Sequence, residues 1–468
     1  MNRGKYLAKN TALFALGSFG TKMISFFLVP LYTNVLNTGE YGTVDLVMTI
    51  STVLAPIITF NIGEAVMRFC LDKGADQKKI TDVGVLFSLI SIFLGALILP
   101  VSMLFAPIKE YGIYLTVYCV TSGISQIFIF NLRGLEKLLD YAITNIIHTF
   151  LIAVFNIVFL LGLRWGIKGY FTAYILSNCL TALYAFWRGN VKIHRLAFDH
   201  ETKTLIAAMV KYSIVLVPNS FMWWIMNSSD RIMVTSMVGI AANGIYAISY
   251  KVPTLLSTFS NIFNQAWSYS AIKENDSEDI NDYSNTVYKR MVAVLSVITA
   301  GLLMIMKPFL MVYVEKSYYE AWKYTPYLLV GFLFLTLGTF LSTSYTVNKD
   351  SKGFLLSGSF GAIINIILNF ILIPIIGVSG AALATCISYI SVYSFRAVHT
   401  QKYIQIDILY KKHLIGYALI LGMCFTMFLD NLYGQLILIL EFVIVLLLYK
   451  DFVVMMMEIV FRKVIKRH

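Results

Sequence analysis

Three cations, Lys22, Arg231 and Lys251, stand inside stretches of the chain that are otherwise apolar. Polar side chains accompany each of them at helical steps. Thr11, Ser18, Lys22 and Ser25, at steps of 7, 4 and 3, fall on one face of a helix. Ser220, Asn227, Arg231 and Thr235 repeat the device with Asp230 alongside, and Lys251, Thr254, Thr258, Asn261 and Gln265 continue it in the next stretch. A charge in apolar surroundings costs several kcal/mol unless it meets a wet cavity or a partner, so these faces predict a polar interior. One carboxylate, Asp230, stands against Arg231 and Lys251, and Lys22 has no acid in its own helix. The surplus of positive charge suits an anionic substrate. The competing reading is a neutralised Asp230 pair that locks two helices together. Metal or nucleophilic chemistry has no comparable signal. Cys70, Cys119, Cys179, Cys386 and Cys424 are scattered singly and the histidines are dispersed. His148 alone lies deep in an apolar stretch, where a hydrogen bond to a neighbouring helix is expected.

The elements that must position these residues are membrane helices. With 58% hydrophobic and 13% charged residues, the chain has too little polar surface to cover a water-soluble particle of 52.9 kDa, and its mean hydropathy is +0.74. Lipid offers no solvent to an unpaired backbone group, and apolar runs of ~20 residues without strict alternation predict helices rather than barrel strands. The expected fold class is therefore all-α, a polytopic bundle of about 14 transmembrane helices. Spans 1 to 8 are placed near 10–35, 42–67, 81–106, 112–132, 141–163, 168–188, 208–237 and 244–272. Spans 9 to 14 are placed near 288–312, 325–347, 354–376, 378–397, 414–429 and 433–450.

Charge fixes the expected orientation. Of 37 Lys and Arg residues, 28 collect in alternate breaks on one side, six lie on the other, and three fall inside spans. By the positive-inside rule both termini are cytoplasmic. The net charge of +12 is then a topology signal beside anionic headgroups rather than a nucleic-acid footprint, and no nucleic-acid partner is expected. The first apolar run is too long for a signal-peptide core, contains Lys22 and lacks a cleavage pattern, so it is expected to be retained.

An internal repeat divides the bundle. Asn34 to Gly42 aligns with Ser236 to Gly244, pairing Gly42 with Gly244 at an offset of 202. Gly166-Ile167-Lys168-Gly169 matches Gly377-Val378-Ser379-Gly380 at an offset of 211, each preceded by an asparagine-bearing apolar helix containing Asn156, or Asn365 and Asn369. Two six-helix halves follow, 1–206 and 207–400, with spans 13 and 14 and a basic tail in 401–468. An even number of spans per half makes the repeats parallel, and substrate sites in such transporters lie between the halves near the midplane.

The stretch from Lys9 to Arg68 with its Pro30-Leu31-Tyr32 and Glu40-Tyr41-Gly42 segments, the Asp230-Arg231 pair, the run Tyr246 to Lys251, and Gly377-x-x-Gly380-Ala381-Ala382 together resemble the polysaccharide flippases of Wzx type. These share a superfamily with lipid II flippases and multidrug exporters. The resemblance implies translocation of undecaprenyl-diphosphate-linked oligosaccharide from the inner to the outer leaflet of a bacterial cytoplasmic membrane by alternating access, for O-antigen, capsule or exopolysaccharide assembly. Lys22, Arg231 and Lys251 would hold the diphosphate and the Ser, Thr, Asn and Gln lining would meet the glycan. Arg68 and Arg133, at the cytoplasmic ends of spans 2 and 4, would serve initial capture or simply anchor the helices. Membrane lipids, a polysaccharide polymerase and export proteins are the implied partners. No cofactor is expected beyond coupling to Na+ or H+. Similarity to lipid II flippases suggests a cation site from Asp230, Asn365, Asn369 and Thr385, although Asn369 stands where that family has an acid, and the asparagines would otherwise bond between helices. Pro30, Pro56, Pro218, Pro253 and Pro374 are candidate bending points. A lipid II flippase, a cation-coupled multidrug exporter and an integral glycosyltransferase or polymerase remain as alternatives.

Overall fold

The computed structural model describes residues 20, 22–72, 74–103, 106–192, 199–273, 279–455 and 458. Among them no strand occurs, and each expected span is matched by helix. Eight helices of the described residues are long and apolar enough to cross a membrane, with Ile240–Ser249 and Leu432–Leu448 as shorter apolar helices. Span 1 is described from its middle onward, as helix over 22–27 and Val29–Val35. Thr11 and Ser18, from its earlier half, lie outside the described residues. The chain forms two compact units, Met1–Ala247 and Ile248–His468. The repeat division rests on internal similarity, whereas these units follow packing, so span 7 packs with the unit that holds spans 1 to 6.

In the first unit span 2 is broken into Thr38–Ile58 and Ile62–Cys70. Phe60 and Asn61 turn to positive φ, 53° and 51°. Pro56 sits just before the break, and its carbonyl takes the Asn61 N–H at 2.7 Å. Spans 3 to 6 are the helices Gln77–Ser102, Gly112–Gly134, Leu138–Asn156 and Gly166–Arg188. Span 7 runs as one helix, His200–Met237, and starts earlier than hydropathy predicts because Asp199 caps it, accepting the Thr202 N–H at 2.7 Å. Ile62, Val66, Val83, Phe87, Ile127 and Met209 from spans 2, 3, 4 and 7 meet in one buried cluster. On span 3, Leu89, Phe93 and Leu97 stand exposed at steps of four, the stripe that lipid would cover. His148 joins span 5 to span 6 as expected, its Nε2 lying 2.9 Å from Asn178 Oδ1.

The second unit is built around span 10, Thr325–Val347, whose Leu328, Leu329, Leu333 and Leu337 are fully buried. Gly331 lets it close on span 12, Val378–His399: a Cβ there would lie 3.1 Å from Cys386 Cα. Span 9 is Ile280–Tyr313, span 11 is Ser351–Ile376, and spans 13 and 14 are Lys411–Thr426 and Leu432–Leu448. Span 8 is interrupted between Ile240–Ser249 and Pro253–Lys273, ahead of Pro253 and at Lys251. The second repeat match has a conformational basis in each unit, since Gly166 and Gly377 both take positive φ, 55° and 61°. Arg396 stands near the end of span 12. It is 1% exposed. Its Nε donates to Ser357 Oγ and its Nη1 to the Gly338 carbonyl, both at 3.0 Å, so it ties spans 10, 11 and 12 together.

Candidate functional site

The start of span 2 is held by a reciprocal cap. Glu40 N–H donates to Asn37 Oδ1 and Asn37 N–H to Glu40 Oε2, both at 2.9 Å. Gly42, Asp45 and Thr49 then follow at helical steps on one face. At Gly42 the helix Ile240–Ser249 crosses with no side chain between the backbones. A Cβ on Gly42 would lie 1.9 Å from the Ile240 carbonyl oxygen, and one on Gly244 would lie 2.0 Å from that of Thr38. The contact is reciprocal in the repeat: Gly42 meets Gly244, and Thr38 and Ile240 stand at the same offset of 202. Buried Asn243 closes the crossing, donating from Nδ2 to the Gly42 carbonyl at 3.1 Å and to Asp45 Oδ2 at 3.4 Å.

Beside the crossing, Arg231 of span 7 forms an ion pair through Nη1 with Asp45. The same nitrogen reaches Thr49 Oγ1 at 3.5 Å. The pair is largely enclosed, with side chains 18% and 8% exposed. Asp230, 2% exposed, accepts the Tyr246 hydroxyl at 2.6 Å. Trp224 Nε1 donates to the Thr49 carbonyl at 2.9 Å. Asp45, which the sequence reading leaves uncounted, pairs with Arg231, so one more carboxylate stands against the predicted cations Lys22, Arg231 and Lys251. Asp230 ties span 7 to span 8 through the Tyr246 hydroxyl, and the Arg231 ion pair adds a tie from span 7 to span 2. A guanidinium held by one carboxylate keeps the fork geometry that recognises phosphate, so the acid and a phosphate would compete for the same donors.

The other sequence-predicted residues divide as follows. Lys22 and Ser25 are exposed on the described part of span 1, and Asn227 is half-buried on span 7. Lys251 is half-buried in the interruption of span 8. Thr254 and Thr258 spend their hydroxyls on their own helix, donating to the Lys251 and Thr254 carbonyls at 2.9 and 3.0 Å. Asn261 is exposed; the Gln265 side chain and Ser18 lie outside the described residues. Arg68 is exposed and pairs with Asp72 one turn on, and Arg133 is exposed at the end of span 4. In the second unit the predicted trio comes together: Asn369 Nδ2 donates to Asn365 Oδ1 at 2.9 Å, and Asn365 Nδ2 to Thr385 Oγ1 at 3.3 Å. All three are buried, and Asn369 Oδ1 has no hydrogen-bond partner among the described residues. Asp230, the fourth member of the predicted set, belongs to the first unit. Asp45, Asn243 and Tyr246 had no assigned site role in the sequence reading, although Asp45 is itself an acid inside an apolar span and carried the same signal as Asp230.

A family model described as polysaccharide biosynthesis protein matches residues 7–269, more than half of the chain, and the chain belongs to that family. An uncharacterized membrane protein of Methanocaldococcus jannaschii is 22% identical over 414 residues, covering 83% of this chain and 96% of the relative. Among solved structures, the fold is similar to that of the lipid II flippase MurJ in an inward closed conformation, with TM-score 0.69 at 17% identity over 97% of this chain and 100% of that one. It is also similar to an inward-facing multidrug resistance MATE family transporter of the MOP superfamily, with TM-score 0.65 at 14% identity over 87% of this chain and 95% of that one. The chain is thus a multi-pass membrane protein of the polysaccharide biosynthesis family with this transporter fold.

Proposed function

We propose that the protein is a flippase that moves undecaprenyl-diphosphate-linked oligosaccharide from the inner to the outer leaflet of the cytoplasmic membrane by alternating access, with both termini cytoplasmic. The observation that carries the reading is the Arg231–Asp45 ion pair beside the Gly42–Gly244 crossing. A diphosphate that captures Arg231 takes it from Asp45, and the crossing that the pair braces is then free to part. Substrate binding and helix separation are coupled through one guanidinium. Lys22 and Lys251 would add charge to the same anion, and the hydroxyl and amide side chains of spans 1, 7 and 8 would meet the sugar. Family membership and the likeness to a lipid II flippase support the substrate class. Polysaccharide polymerase and export proteins would act on the product. Replacing Lys22, Arg231 and Lys251 together by alanine should abolish polymer export, while Lys→Arg at 22 or 251 keeps part of it. Undiminished export by the triple variant at normal membrane levels would sink the reading.

Coupling to Na+ or H+ belongs to the same proposal. Asn365, Asn369 and Thr385 offer oxygen donors of the kind hard cations take, and the unpartnered Asn369 Oδ1 is the atom such an ion would use. As a plain tie between spans 11 and 12 the trio would instead leave transport indifferent to imposed gradients.

A further inference from the structure

We propose that the end of the first unit where span 3 begins and span 6 ends binds a phosphate-bearing lipid headgroup. The inference uses the cytoplasmic topology given above but is independent of the transport step. Lys78, Thr81 and Asp82 of the helix Gln77–Ser102, with Trp187, Gly189 and Lys192 at the end of Gly166–Arg188, line a cavity of about 760 Å³. Most cations around it are already engaged. Lys79 donates to Glu201 at 2.9 Å, Lys137 donates to the Arg188 carbonyl at 2.7 Å, and Arg188 pairs with Asp140 at 2.5 Å. Lys78 and Lys192, the two that line the cavity, have no acid or other acceptor among the described residues. Against the one carboxylate of Asp82 they leave the lining with a surplus positive charge.

A buried donor adds to that field. Asn131, 1% exposed, has its Oδ1 fixed by the Thr81 hydroxyl at 2.9 Å, and its Nδ2 finds no acceptor among the described residues. It stands directly behind the lining, since a Cβ on Gly189 would lie 3.3 Å from that nitrogen. The rim argues for a lipid rather than a free anion. Trp187, which lines the cavity, is 67% exposed, and Leu183 one turn before it is 64% exposed. They form an apolar flank with an indole at the level where tryptophans mark the membrane boundary. A headgroup phosphate between Lys78 and Lys192 would leave its acyl chains along this flank. The same phosphate chemistry could come from an anionic phospholipid or from a prenyl-diphosphate-linked sugar.

The test is lipid binding by the purified full chain, counted by native mass spectrometry, with phosphatidylglycerol, phosphatidylcholine and a short-chain prenyl diphosphate as probes. Two lysine contacts at ~1 kcal/mol each correspond to about a thirty-fold weaker retention of the anionic probe in Lys78→Ala/Lys192→Ala, with phosphatidylcholine unaffected. A loss confined to phosphatidylglycerol assigns the site to bulk anionic lipid, and a loss confined to the prenyl diphosphate assigns it to the lipid-linked sugar. Arg231→Ala should leave retention of phosphatidylglycerol unchanged and lower only that of the prenyl diphosphate, which separates the site from the transport proposal. Equal retention of both anionic probes by wild type and the double variant would overturn the inference, as would an equal loss in the control Lys352→Ala.

Discussion

Adding one methyl group at Gly42 should open the crossing between span 2 and the helix Ile240–Ser249. The new Cβ would sit 1.9 Å from the Ile240 carbonyl oxygen. A carbon tolerates an oxygen no closer than ~3.3 Å, so the backbones must part by roughly 1.4 Å. Neither atom can step aside, because one is fixed to a helix backbone and the other is a helix carbonyl. Overpacking of this kind costs about 1–3 kcal/mol, so Gly42→Ala should raise the population with the crossing open by about 5- to 150-fold. Ala247 is 1% exposed on the same helix, and a cysteine there is small enough to leave the closed state intact. In a background without the native cysteines, a membrane-impermeant maleimide added outside should label Ala247→Cys faster by that factor once Gly42→Ala is introduced. Gly244→Ala should act alike, since its Cβ would meet the Thr38 carbonyl oxygen at 2.0 Å. Unchanged labelling in both variants, with normal folding, would refute the claim that backbone contact holds this crossing.

Removing Asp45 leaves Arg231 without the acid that neutralises it, so Asp45→Ala should cost about 3–5 kcal/mol of stability. Asp45→Ala/Arg231→Ala should recover most of that cost in thermal unfolding while transport stays lost; a double variant as unstable as the single one would remove the pairing argument. Asn369→Leu keeps the bulk of the side chain but removes the unpartnered oxygen, and in proteoliposomes it should transport without responding to an imposed Na+ or H+ gradient. Asp350, outside the spans, accepts the Gly353 N–H at 2.9 Å and the Tyr403 hydroxyl at 2.7 Å. These bonds, with Lys402 beside them, hold its carboxyl below the usual range. Its contribution is therefore present above ~pH 4 and fades as pH falls through the lowered value, so the melting difference between wild type and Asp350→Asn should vanish in strong acid.

The spans were legible because each is long, apolar and bounded by polar breaks, so their number depends on no single contact. The glycine pairs were legible for a different reason. Gly42 and Gly244 stand where a side chain cannot fit, and Gly166 and Gly377 where φ is positive, so backbone constraint left the same residue at both repeat positions. Asn365 and Asn369 were found because a step of four on one helix is visible in sequence. Asp45 and Arg231 are separated by 186 positions on different helices, and no periodicity links them. Counting Asp230 as the acid of the cluster therefore left one carboxylate out. Arg396 stands in the last turn of a span, where anchoring cations are common, and its inward direction depends on Ser357 and Gly338 of two other helices. The interruptions of spans 2 and 8 were signalled only by Pro56 and Pro253. Hydropathy averages over a window and cannot register Phe60 and Asn61 turning to positive φ.

The most direct test of the central claim is movement of fluorescent undecaprenyl-diphosphate-linked oligosaccharide between the leaflets of proteoliposomes, read by access of an external quencher and by the mass of the recovered lipid. Wild type should carry the lipid across with its mass unchanged, and Arg231→Ala should not carry it at an equal level of reconstituted protein. Lipid that stays in its leaflet with wild type, returns altered in mass, or crosses equally well with Arg231→Ala would contradict the account.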